Sequence, residues 1–144
     1  MASGIPINCS MIVASVPGAA DVLCKKLLSE LEAGNFGKED IFAVHLSLEE
    51  AFINSVEHGN QMDPAKKIKI EYSVGHDRVE ISLTDEGDGF DPNTVPDPRN
   101  GENLYKTEGR GLLLIRSYMD TVEYNKRGNH IHMIKNKSSV KSIA

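Results

Sequence analysis

Glu50 and Asn54 stand four residues apart in the stretch Glu50-Ala51-Phe52-Ile53-Asn54, so on a helix they project from one side. A carboxamide oxygen suits Mg²⁺, and a carboxylate near it can orient or deprotonate a nucleophile. A solvated helix face, with Glu49 and Glu57 close by, is the plainer alternative. The run Asp85-Glu86-Gly87-Asp88-Gly89-Phe90-Asp91 follows an alternating stretch. An aspartate there can accept a hydrogen bond from the amine of a base, while Gly87 and Gly89 let backbone approach a ligand closely. Calcium is disfavoured because Gly87 falls where an EF-hand loop needs a ligand; an ordinary turn rich in aspartate and glycine stays open. The run Thr107-Glu108-Gly109-Arg110-Gly111-Leu112 leads into the apolar Leu113-Leu114-Ile115, a glycine pair opening a helix. Free N–H groups at a helix N-terminus suit phosphate, although small residues also serve close helix packing. The spacing matches neither the dinucleotide-binding nor the P-loop glycine pattern.

Three such groups need elements that bring them together. Ile5, Ile7, Cys9, Met11 and Val13 alternate over residues 5–14, a half-buried strand. After Pro17-Gly18, Ala20, Val22, Leu23, Leu27, Leu28 and Leu31 recur at helical spacing up to Gly34. A second helix is expected over residues 38–58, with Ile41, Val44, Leu48, Phe52 and Ser55 on one stripe and Gly59 ending it. Leu46 and Ile53 make this helix apolar on more than one face, so its Glu50/Asn54 pair can line a pocket. Residues 68–74 and 79–84 alternate around Gly75-His76-Asp77, a hairpin. Residues 87–110 read as a long loop, which inside a compact domain points to a functional lid. A short helix over 111–119 and a closing hairpin, 121–124 with 130–134 around Arg127-Gly128-Asn129, complete the order. The class is α+β, with helices layered on one face of a mixed, mostly antiparallel sheet.

Length and composition suit one domain over residues 1–144, and 40% hydrophobic with 26% charged residues allow a core without metal or disulfide support. Cys9 and Cys24 have no CxxC spacing, in keeping with a reducing cytoplasm. His130 and His132 share a strand face without a third ligand and are read as structural, and His58 as a helix-end residue. A net charge of −5 argues against nucleic acid as a partner, and Lys135, Lys137 and Lys141 read as a solubilising tail. The N-terminus lacks a basic export signal, and its apolar stretch from Met11 to Val16 is far below the roughly 18 residues of a membrane span.

Taken in order, Glu50-xxx-Asn54-xxx-His58-Gly59, Asp85-x-Gly87-x-Gly89-Phe90 and Gly109-x-Gly111 resemble the N, G1 and G2 boxes of the GHKL superfamily. Nearly the whole chain is similar to the bacterial anti-sigma factor serine/threonine kinases of that superfamily. Leu48-Glu49-Glu50-Ala51, Glu102-Asn103-Leu104 and the run from Ile115 to Tyr124 add to the likeness. The resemblance implies a two-layer α/β sandwich of the Bergerat type, with a lid over about residues 90–110, and ATP and Mg²⁺ as cofactors. It implies Glu50 as general base toward a substrate hydroxyl, Asn54 as the metal-holding residue and Asp85 as the acceptor for the adenine amine. Gly87 and Gly89 would give close backbone approach, and Gly109, Arg110, Gly111 and Leu112 the phosphate-binding end of lid and helix.

The implied partners are a sigma factor and a STAS-domain antagonist phosphorylated on serine or threonine, with no direct nucleic acid and no membrane. A homodimer is implied too, with an exposed apolar patch on the first strand and helix. A nucleotide-gated binding module without kinase activity is the alternative. Many superfamily members carry Gly-Thr near the last strands, the threonine supporting the adenine contact; here that stretch is Gly128-Asn129-His130. Histidine kinases share the three boxes but would need a dimerisation and phosphoacceptor helix pair upstream, so a sensor kinase is not expected.

Overall fold

The computed structural model describes residues 6–87 and 107–138, with backbone alone at 107–110. The elements run β1 (Ile7–Ala14), α1 (Asp21–Ala33), α2 (Lys38–Asn54), β2 (Lys67–Val74), β3 (Arg78–Asp85), α3 (Thr107–Tyr118), β4 (Thr121–Tyr124) and β5 (His130–Asn136). The strands form one sheet in the order β1-β2-β3-β5-β4. Period-2 alternation assigns its faces: Ile68, Ile70, Tyr72 and Val74 of β2 and Val79, Ile81 and Leu83 of β3 are buried toward the helices. All four pairings among the described strands are antiparallel, in keeping with the mostly antiparallel sheet expected. The reason is connectivity: β5 doubles back from β4 through a tight turn and inserts beside β3.

The helices cover one face of this sheet. Leu23, Leu27 and Leu31 of α1 are fully buried, whereas Val22, one residue off that stripe, is 75% exposed. Ile12 of β1 is 67% exposed as well. Val44, Leu48, Ala51 and Phe52 bury α2 against the sheet and α1, and Ile115 and Met119 bring α3 onto the same core. Because α2 has neighbours on several sides, its polar pair can face α3 while its apolar stripe faces the sheet.

Two helix boundaries differ from their expected positions. Regular α2 ends at Asn54 and widens into a π-helical turn, Ser55–Gly59. Such wide turns cluster at functional sites, and this one brings Gly59 under the end of β3. Helix α3 begins at Thr107, so Gly109 and Gly111 lie inside it rather than before it. Each glycine disfavours a helix by about 1 kcal/mol, which is why local propensity places the start later; packing against α2 overrides it. The lid stretch up to residue 106, Gly89 included, falls outside the described residues.

Asn60 and Asp40 secure the remaining connections. Asn60, fully buried, donates from Nδ2 to the Lys67 carbonyl and accepts from the Glu86 N–H. This holds the turn in which Gln61 and Met62 adopt φ of 53° and 62°, a left-handed conformation unfavourable for side chains of that kind. Buried Asp40 accepts from the Ser138 N–H at 2.8 Å and hydroxyl at 2.6 Å. Lys137 donates to the Gly34 carbonyl and lies over the Phe36 ring, and Lys135 faces Asp40 and Asp120. Lys135 and Lys137 are therefore built into the fold rather than forming a free basic tail. His130 bonds to Thr84 and also lines the slot described below, and His132 bonds to Glu80.

Candidate functional site

Glu50 and Asn54 occupy the last turn of α2, and Gly111 of α3 lies directly across from both. A Cβ at Gly111 would sit 2.9 Å from Glu50 Oε2 and 3.4 Å from Asn54 Nδ2. The absent side chain is what lets the two helices close around this polar pair. Among the described residues, neither the Glu50 carboxylate nor the Asn54 carboxamide is taken up by a hydrogen bond. Burial pushes the Glu50 carboxyl above its ordinary value, and the charges of Glu49 and Glu57 push it the same way.

Asp85 stands at the end of β3 and is buried. Its Oδ1 accepts the Gly87 N–H at 2.9 Å, closing a tight turn. Burial raises the carboxyl above its ordinary value, and the Gly87 N–H, Arg127 and Lys66 oppose that rise. Gly59 and Gly87 pack on this carboxylate and on each other: a Cβ at Gly59 would come within 2.2 Å of Asp85 Oδ2, and one at Gly87 within 1.6 Å of the Gly59 carbonyl oxygen.

A narrow slot joins the two halves, lined by Ala51, Asn54, Ser55, Leu83, Asp85 and Gly128 among others. Asn54 thus belongs both to the slot and to the cradle facing Gly111, and the slot combines apolar side chains such as Leu83 with the Asp85 carboxylate. A larger trough of about 540 Å³ lies on the open face of the sheet, around Ser10, Ser73 and Ser82. The slot is the better candidate despite its smaller size, because the buried, upward-shifted Asp85 carboxyl lines it and Asn54 on its wall leads on to Glu50 and Gly111.

Hard oxygen donors at Glu50 and Asn54 fit Mg²⁺ in type, and the Gly111 cradle leaves them accessible. No group of three or more His, Cys, Asp or Glu among the described residues is arranged for a metal.

Of the residues singled out in the sequence, Glu50, Asn54, Asp85, Gly87 and Gly111 come together. Gly109 and Arg110 lie in the first turn of α3, and the side chain of Leu112 is buried one turn further in. Sequence reading missed Asn60, Arg127 and Asn129, which grip the Asp85–Gly87 turn from other elements. Asn60 had one signal, its place next to the helix-ending Gly59; the other two had none in local spacing.

Residues 13–135 match the histidine kinase-like ATPase domain. The chain is 30% identical over 96 residues to the serine-protein kinase RsbW of Bacillus licheniformis, covering 60% of this chain and 58% of that protein's length. It is 29% identical over 114 residues to the anti-sigma F factor of Oceanobacillus iheyensis, covering 73% and 75% of the two chains. A third relative, the serine-protein kinase RsbW of Listeria innocua, is 31% identical over 107 residues, covering 69% and 68%. A crystal structure of the RsbU and RsbW domains of a Mycobacterium tuberculosis protein superposes with a TM-score of 0.61 at 16% identity, over 90% of this chain and 31% of that one. That likeness concerns the fold. No helix among the described residues is long and apolar enough to cross a membrane.

Proposed function

Because the chain belongs to the histidine kinase-like ATPase family, in its group of anti-sigma factor serine/threonine kinases, we propose that it transfers the γ-phosphoryl group of ATP to a protein hydroxyl. The acceptor is a serine or threonine of a STAS-domain antagonist, and the protein acts as an anti-sigma factor by binding a sigma factor, working as a homodimer. The observation that carries this reading is the Glu50 carboxylate, unbonded among the described residues, in the cradle of Gly111 beside Asn54. In this role Asp85 would accept the adenine amine in the slot, and Asn54 would hold Mg²⁺, which would supply charge neutralisation for the phosphates. Gly87 and Gly89 let backbone approach the nucleotide, and the start of α3 from Gly109 through Arg110, Gly111 and Leu112 faces the phosphates. Glu50 takes the proton of the attacking hydroxyl, a task favoured by a carboxyl shifted upward toward neutral pH. Phosphoryl transfer depends chiefly on positioning and charge neutralisation, so these parts form a sufficient set.

Two measurements test the proposal. Mg-ADP at about 100 times its Kd should stabilise the native state by about 2.7 kcal/mol, a rise of roughly 6–10 °C in melting temperature. No rise at millimolar Mg-ADP would remove the nucleotide reading altogether. Incubation with γ-labelled ATP and a STAS-domain protein should then move label onto serine or threonine of that protein. A stable ATP-dependent complex without transfer would instead support the nucleotide-gated binding module.

Gly111→Ala separates positioning from folding. Alanine gains about 1 kcal/mol over glycine in a helix, and the new methyl meets the far end of a flexible side chain, Glu50 Oε2, rather than backbone. The melting temperature should hold or rise slightly, while displacement of Glu50 slows transfer by about tenfold to hundredfold. Undiminished transfer in this variant would separate Gly111 from the site.

A further inference from the structure

The turn between β4 and β5 reaches across to the end of β3 and grips it. The Asp85 N–H donates to the Asn129 carbonyl at 2.9 Å, and Asn129 Nδ2 donates back to the Asp85 carbonyl at 3.2 Å. Both main-chain groups of Asp85 are thus held by one residue. The ladder of β3 with β5 ends at the pair Thr84 and His130, and the Asn129 side chain carries it one residue further with a bond that no backbone group supplies. The Asn129 carboxamide is itself oriented, since its Oδ1 accepts from Asn125 Nδ2 at 2.8 Å. Asn125 Oδ1 also accepts the N–H groups of Gly128 and Asn129, which fixes the turn around Gly128 at φ 80°. Arg127 adds a bond to the Gly87 carbonyl at 3.2 Å.

We infer that Asn129 is a positioning residue that sets base selectivity by holding the Asp85 main chain. With both main-chain groups fixed and Oδ1 taken by the Gly87 N–H, the carboxylate is held in place at the wall of the slot, and its remaining acceptor capacity is what a base amine there would use. A base with an exocyclic amine is matched by that carboxylate, whereas one with a carbonyl at the same place sets an acceptor against an acceptor. Losing the Asn129 bond lets Asp85 turn away, which weakens the match and relaxes the discrimination together. The inference rests on the reading that Asp85 accepts from the adenine amine.

Calorimetric titration of the full chain with Mg-ADP and Mg-IDP tests it, because inosine carries a carbonyl where adenosine carries the amine. The wild-type protein should bind ADP at least about tenfold more tightly than IDP. In Asn129→Ala the ADP affinity should fall about five- to tenfold with IDP nearly unchanged, so that the ratio collapses. Asn125→Ala, which frees the Asn129 carboxamide without touching Asp85, should move the ratio the same way by less, and serves where Asn129→Ala folds poorly. Asn136→Ala, at the far end of the ladder, should leave the ratio alone. A wild-type ratio retained in both Asn129→Ala and Asn125→Ala overturns the inference. Equal binding of ADP and IDP by the wild type overturns the role of Asp85 itself, and the inference with it.

Discussion

Glu50→Gln should reduce phosphoryl transfer to a STAS-domain protein by about 10²–10⁴-fold, the usual worth of a positioned general base, while the rise in melting temperature with Mg-ADP survives. The same substitution should make the protein more stable at neutral pH. Burial first, then Glu49 and Glu57, lifts the Glu50 carboxyl above its ordinary 4.5 in the folded state. A raised carboxyl binds its proton more tightly when folded, so its contribution to stability is fully present below 4.5 and lost as pH rises through the folded value. At pH 7.5 the ionised side chain therefore opposes folding, and neutral glutamine relieves that opposition. Melting curves should place Glu50→Gln above wild type at pH 7.5, with the gap narrowing toward pH 4. Wild-type transfer should fall on the acid side with an apparent pKa above 4.5. Transfer that persists in Glu50→Gln would take this residue out of the base role, and a pH-independent stability gap would contradict the upward shift.

Gly87→Ala should destabilise the fold by about 3 kcal/mol or more, far beyond the usual effect of one methyl group in a turn. Its Cβ would fall 1.6 Å from the Gly59 carbonyl oxygen and 3.1 Å from Asp85 Oδ1. The first neighbour is backbone and cannot swing aside, so the π-helical turn and the end of β3 must part. Gly37→Ala is the matched control, because a Cβ there meets nothing within 4 Å. Urea unfolding should show a lower midpoint at unchanged slope for Gly87→Ala and little change for Gly37→Ala. A Gly87→Ala protein within about 0.5 kcal/mol of wild type would refute the close approach.

Much of the fold was legible because the signals were local. Alternation in β2 and β3 assigned their buried faces, and the stripe of Val44, Leu48 and Phe52 assigned the face of α2. Where local propensity and packing disagreed, packing decided. The glycines of Thr107-Glu108-Gly109-Arg110-Gly111 speak against helix, yet this stretch is helical against α2. The apolar Val22 fits the helical pattern of α1 and is nevertheless exposed, since the stripe through Leu23, Leu27 and Leu31 already fills the interface.

The sequence by itself determined that Glu50 and Asn54 share one side of a helix, that Asp85 ends a strand before a glycine turn, and that a glycine pair stands at the opening of a later helix. Each of these depends on spacing within a few residues, which backbone periodicity converts directly into direction. Only the tertiary structure decided that Gly111 rather than solvent faces Glu50, that Gly59 and Gly87 touch backbone to backbone, and that Asn60 and Asn129 hold the Asp85 turn from two sides. Those contacts join residues far apart in the chain, and they arise from how closely layers can approach once particular side chains are missing. That is a property of packed surfaces, and no single stretch of sequence carries it.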